Sequence, residues 1–180
     1  MKKILFFISL LITFQSFSQN KEKFKPGVKV TTIEKVAEYQ KPTSVLFIFE
    51  GDTHLVNYFL DLEKHIQRRF KKDIGKGFKL DFIYELTSEK PLESDLVKLP
   101  RQSFDKTKYE AIGYITLADF KSVETKLGQT RKQRYAINVE LKNKDSDQLL
   151  YFILNVRSFK TIVTQNKKSS KLIYKHIMEL

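Results

Sequence analysis

The sequence predicts an α/β (α+β) fold, a mixed sheet of about five strands with helices packed on it, and three observations predict it. Val45-Leu46-Phe47-Ile48-Phe49 is an unbroken run of β-branched and aromatic residues, as found in a strand covered on both faces. Directly after it, Leu55, Phe59, Leu62, Ile66 and Phe70 recur at spacings of four and three, which puts them on one face of a helix. In the second half, three stretches read as strands: 111–120, then 135–141 with Tyr135, Ile137, Val139 and Leu141 alternating, then the strongly apolar 149–156. The predicted order is βα-β(α)-βββ-α. With 180 residues, 41% hydrophobic and 30% charged, the chain can build one domain with a real core and little more.

The first residues read as an export leader. Met1-Lys2-Lys3 is a positive start, Ile4 to Phe14 an apolar middle too short for a mature membrane span, and Ser16-Phe17-Ser18 a small-residue end. Cleavage is expected after about Ser18, so 1–18 is a signal peptide; the competing reading is a retained helix or anchor. Residues 19–43 are polar and lysine-rich with Pro26 and Pro42, and read as a polar N-terminal segment or tether. Within them Val28 to Thr32 alternates weakly, a short edge strand at most. The single domain is expected over 44–180.

Glu50-Gly51-Asp52 ends the first strand, and Asp52 or Thr53 is placed to cap the helix. Arg68, Arg69, Lys71 and Lys72 complement the dipole at that helix's C-terminus, and Gly75-Lys76-Gly77 supplies its stop. Phe78, Leu80, Phe82, Tyr84 and Leu86 then share one face of a half-exposed strand, with Ile83 the exception. Strand, helix and strand make a crossover with the strands parallel. From Thr87 to Lys108 two readings compete: a short helix through Leu92, Leu96 and Leu99 opened by Pro91, or an irregular loop. Gly113, inside a strand, signals a bulge or close backbone approach. Asn143 to Asp147 is a polar turn, so the three later strands form an antiparallel meander. Leu172, Ile173, His176, Ile177 and Leu180 place a last helix back on the sheet.

Two stretches, Ser44-Val-Leu-Phe-Ile-Phe49 before the long helix and Tyr109-Glu-Ala-Ile-Gly-Tyr-Ile115 opening the meander, together with the element order, resemble a group of bacterial envelope domains. The group includes the amino-terminal domain of the Tol–Pal system's periplasmic propeller protein, the outer-membrane lipoprotein activators of penicillin-binding proteins, and the curli secretion channel subunit. The resemblance covers 44–180 and implies a non-catalytic adaptor that binds other envelope components. The lipoprotein members carry an N-terminal cysteine anchor, and this chain has no cysteine.

The missing cysteines also exclude disulfides, thiolate metal sites and a lipidated N-terminal thiol. Net charge is +12, and Lys2 and Lys3 of the leader supply two of those charges. Export turns such a surplus away from nucleic acid and toward an envelope protein partner, anionic lipid or glycan. Among reactive groups, His54 follows Glu50 and Asp52 at the C-terminal edge of a βα strand, where open α/β sheets place ligands. A metal or acid–base site there needs more convergent groups than the sequence supplies. Asp61 and His65 are one helical turn apart, and His176 falls on an apolar face. There is no glycine-rich phosphate loop, no Gly-x-Ser-x-Gly elbow and no His-Glu-x-x-His. Asp145-Ser146-Asp147 begins like a calcium loop but reaches Val156 at position twelve. The sequence therefore assigns no catalytic residue, metal ligand or cofactor.

Lys121, Lys126, Arg131, Lys132 and Arg134 concentrate around Gly128 between two strands, and these five are the candidate binding residues. A solvated loop is the plain alternative. The sequence reads best as a non-catalytic exported periplasmic envelope binding or adaptor protein, not membrane-spanning after cleavage. Two alternatives stand beside it: a small exported metal-dependent or hydrolytic enzyme using Glu50, Asp52 and His54, and a basic module for anionic lipid or glycan.

Overall fold

The apolar run becomes strand β2 (Ser44–Asp52), and Val45 to Phe49 are fully buried. β2 lies inside the sheet, paired on one side with β3 (Lys79–Thr87) and on the other with β4 (Ala111–Glu124), both parallel to it. β4, β5 (Arg131–Lys142) and β6 (Gln148–Phe159) follow as the antiparallel meander. The computed structural model describes residues 24–74, 77–87, 104–124 and 131–179. The proposed leader, Gly75-Lys76, the proposed helix near Leu92 to Leu99, Lys126 and Leu180 lie outside them.

Counting β1 (Gly27–Lys35), the sheet has six strands, in the order β1-β6-β5-β4-β2-β3. The sixth, β1, pairs antiparallel with β6 from Gly27 opposite Arg157 to Lys35 opposite Leu150, with a bulge between Val30 and Thr32. It extends well beyond the short Val28–Thr32 edge strand, within the segment read as polar or tether. The polarity that suggested a tether is that of an edge strand with one half-exposed face. Beyond β1, the Tyr39 hydroxyl donates to the Ile177 carbonyl at 2.8 Å, which fastens this segment to the last helix. Burial pushes that phenol up to about 12.

Asp52 caps the turn after β2 by accepting the His54 N–H at 2.7 Å. A short 3-10 turn (Thr53–Leu55) leads into helix α1 (Val56–Ile74), which buries Tyr58, Phe59, Leu62, Ile66 and Phe70. Helix α2 (Asn166–Met178) buries Ile173, His176 and Ile177 and packs beside α1 on the same face of the sheet. Asn166 joins them: its Nδ2 donates to Asp61 Oδ2 at 2.9 Å and to the Tyr58 carbonyl at 3.3 Å.

Between helices and sheet lies one core built on Phe47, Phe49, Phe59, Phe70 and Phe82, with residues of β4, β5 and β6 completing it. Phe47 stacks on Phe82 at 5.7 Å and meets the edge of Phe70 at 6.1 Å. Gly113 is required by that packing, because a Cβ there would sit 2.6 Å from Phe47 Cδ1. The close approach its strand position signalled is real. His176 packs against the Phe152 ring at 5.1 Å, as a core residue should.

Candidate functional site

Directly paired residues of neighbouring strands share a face. The register therefore assigns the sheet's second face, opposite the helices, row by row. At the β3 and β2 end, Leu46, Ile48, Tyr109 and Ile112 are buried there in a small cluster of their own. Phe104 leans on Tyr109 at 6.4 Å, and the Tyr109 hydroxyl donates to Asp81 at 2.6 Å while Lys79 Nζ stands 3.9 Å from its ring. Among the described residues, this is where the second face is covered.

The next rows are polar. Glu50 pairs across β2 and β3 with Glu85, and Glu140 lies further across the face on β5. Lys106 reaches Glu85 at 3.6 Å and Lys142 reaches Glu140 at 3.2 Å. Burial first, then the negative charge of Glu85, push the Glu50 carboxyl above its ordinary value. The proposed Glu50, Asp52 and His54 grouping does not converge. Glu50 belongs to the charged row, Asp52 caps the turn, and His54 is exposed. Asp61 stands 3.8 Å from His65 Nε2 but also accepts from Asn166, which makes it part of the helix–helix joint. Among the described residues no three His, Asp or Glu side chains gather as a metal needs.

At the far end the second face is basic. Lys121 on β4 pairs with Arg134 on β5, and Arg134 pairs with Arg157 on β6, so three cations form a row across three strands. A bulge makes this row possible. Ala118 faces Ala136 and Lys121 faces Arg134, so Asp119 and Phe120 together oppose Tyr135. Asp119 takes a left-handed φ of 54°, which asparagine and aspartate tolerate better than most residues. Without the inserted residue, alternation would turn Lys121 to the helix side.

The row borders a hollow of about 360 Å³ lined by Asp119, Lys121, Arg134, Asn155 and Arg157 among others. A second, about 660 Å³, continues past Asn155 and Arg157 to Lys25 and Lys29 beside β1. Phe24 closes the end of the row. Its ring lies 4.9 Å from Phe159, with Arg134 Cζ at 5.4 Å and Lys132 Nζ at 5.7 Å from its centre.

Of the five candidate residues, Lys121, Lys132 and Arg134 come together on this face. Arg131 starts β5, across from Glu124, and its carbonyl accepts the Lys160 N–H at 2.9 Å. Lys126 lies outside the described residues. Lys25, Lys29 and Arg157 belong to the same basic area and were missed. Arg157 lies one residue past the 149–156 stretch read as a strand, where alternation alone gives no cue that three cations align.

No protein-family model matches the chain, and none of the curated proteins does. Among solved structures the chain is similar to the lipoprotein GNA1162 from Neisseria meningitidis, at 10% identity and a TM-score of 0.41, covering 73% of this chain and 92% of that one. It is also similar to a neuraminyllactose-binding hemagglutinin homolog from Helicobacter pylori, at 11% identity and a TM-score of 0.37, covering 81% and 92%. Both are distant likenesses, and neither is one of the three envelope groups that the sequence resembles.

Proposed function

We propose that the protein is a non-catalytic exported binding or adaptor protein of the cell envelope, working through the second face of its sheet. The observation that carries this reading is the division of labour between the faces. One face is consumed by the two helices, while the other presents polar and basic rows across β4, β5 and β6. The leader at 1–18 supports export, and among the described residues no helix is long and apolar enough to cross a membrane. Of the groups that suggested an enzyme, Glu50, Asp52 and His54, Asp52 is engaged in a cap; of the separate Asp61 and His65 pair, Asp61 is engaged in a helix joint.

Site-specific photocrosslinking in native cells tests the proposal. A crosslinker at Asn155, exposed on the second face, is expected to trap discrete protein adducts; one at Lys171, exposed on α2, is not. Adducts from neither position, or a turnover abolished by His54→Ala, would overturn it.

A further inference from the structure

We infer that the far end of the β4–β5 pair enters the surface of an anionic lipid bilayer edge-on. Asp119 to Val123 are all exposed, so this end of β4 has left the core on both faces. Phe120 is 52% exposed and Val123 63%, the two most exposed large apolar side chains among the described residues. They lie on opposite faces. Phe120 opposes Tyr135 on the helix side, its ring 6.4 Å away, whereas Val123 pairs with Lys132 on the second face.

Lys121, Lys132 and Arg134 stand among them, with Arg157 behind. A soluble polyanion held in the hollow would touch the second face alone and would leave Phe120 without a role. A bilayer entered edge-on takes both apolar side chains below the headgroups and keeps the flanking cations at the phosphates. Asp119 and Glu124 are the acidic residues at this end of β4, Glu124 paired across from Arg131, and the exposed Asp119 carboxylate stays in water. The inference rests on the binding-protein reading and names one ligand for that surface; the rest of the face remains for a protein.

Flotation of the purified protein with vesicles tests it without any protein partner. Vesicles of phosphatidylcholine and phosphatidylglycerol in equal parts should bind it, less as salt rises, and phosphatidylcholine alone should not. Lys121→Gln with Arg134→Gln should lower partitioning about 25-fold, at about fivefold per cation near the surface. Phe120→Ser with Val123→Ser should lower it as well. Lys167→Gln with Lys171→Gln, which removes the same charge from the exposed side of α2, should leave it unchanged. Should a variant unfold by circular dichroism, a polarity-sensitive dye on Val123→Cys gives an independent reading, since the chain has no other cysteine.

A blue shift of that dye on anionic vesicles supports insertion, and its absence overturns it. Equal binding to both vesicles, or heparin binding that survives Phe120→Ser with Val123→Ser without vesicle binding, also overturns it. Protein adducts from Asn155 alongside failed flotation would reject the bilayer and leave the adaptor reading standing.

Discussion

The two faces of the sheet are made by the same strands yet follow different rules. On the helix side, Val45, Phe47 and Phe49 meet Phe59, Phe70 and Phe82, and the rows Ile115–Val139–Phe152 and Leu117–Ile137–Leu154 continue the apolar packing across β4, β5 and β6. On the second side, apolar packing ends after Leu46, Ile48, Tyr109 and Ile112, and the rows turn polar, then basic. Burial of apolar area is what folding gains from, so the first face holds the structure. Charged rows gain little from folding and are kept where they can meet something else.

The sharpest test of this contrast is Phe47→Ala, which should cost about 3–5 kcal/mol in denaturant unfolding, as expected for a fully buried phenylalanine. Asn155→Ala on the second face should stay within about 0.5 kcal/mol. Comparable losses from the two would erase the distinction between the faces. Gly113→Val drives a Cβ into the Phe47 ring and should cost about 1–3 kcal/mol by the same measurement.

A smaller loss is expected from Asn166→Ala, about 1–2 kcal/mol, because Asp61 and the Tyr58 carbonyl each lose a hydrogen bond between the helices. His176 sharpens the contrast through pH. Burial, helped by the charge of Lys175, holds its imidazole below the ordinary histidine value. The folded state therefore takes up its proton less readily than the unfolded one. Stability should hold above the ordinary histidine value and fall as pH drops below it, and His176→Leu should flatten that acid limb in thermal melts.

The smallest effect concerns Glu50. Its carboxyl is raised in the folded state, so its ionisation opposes folding as pH rises through the carboxylate range. Glu50→Gln should raise the melting temperature slightly at neutral pH and make no difference once both states hold the proton. An unchanged neutral-pH melt would show that Lys106 and Lys142 already offset the repulsion from Glu85.

Local patterns were legible wherever neighbouring residues decide the outcome. The β2 run, the α1 face, the Asp52 cap and the Asn143–Asp147 turn all follow from residues within a few positions of one another. Reach was the obstacle for β1, whose partner strand lies more than a hundred residues away, leaving only a weak alternation to read. The same holds for the basic row. Counting lysines and arginines located Lys121, Lys132 and Arg134, but the bulge at Asp119 and Phe120 decides which of them align. That bulge depends on a pairing the sequence does not spell out. Arg157 was absent from the list for the same reason: it joins the row only through the register of β6.

The pairing of β1 with β6 also sets the order in which the molecule can be finished. Thr31 Oγ1 reaches the Ile153 carbonyl across 122 positions, and every β1 rung waits for a strand made more than a hundred residues later. Contacts of such long range are slow to close. Until they do, β6 is an unguarded edge, and a chaperone that shields that strand would have most to protect.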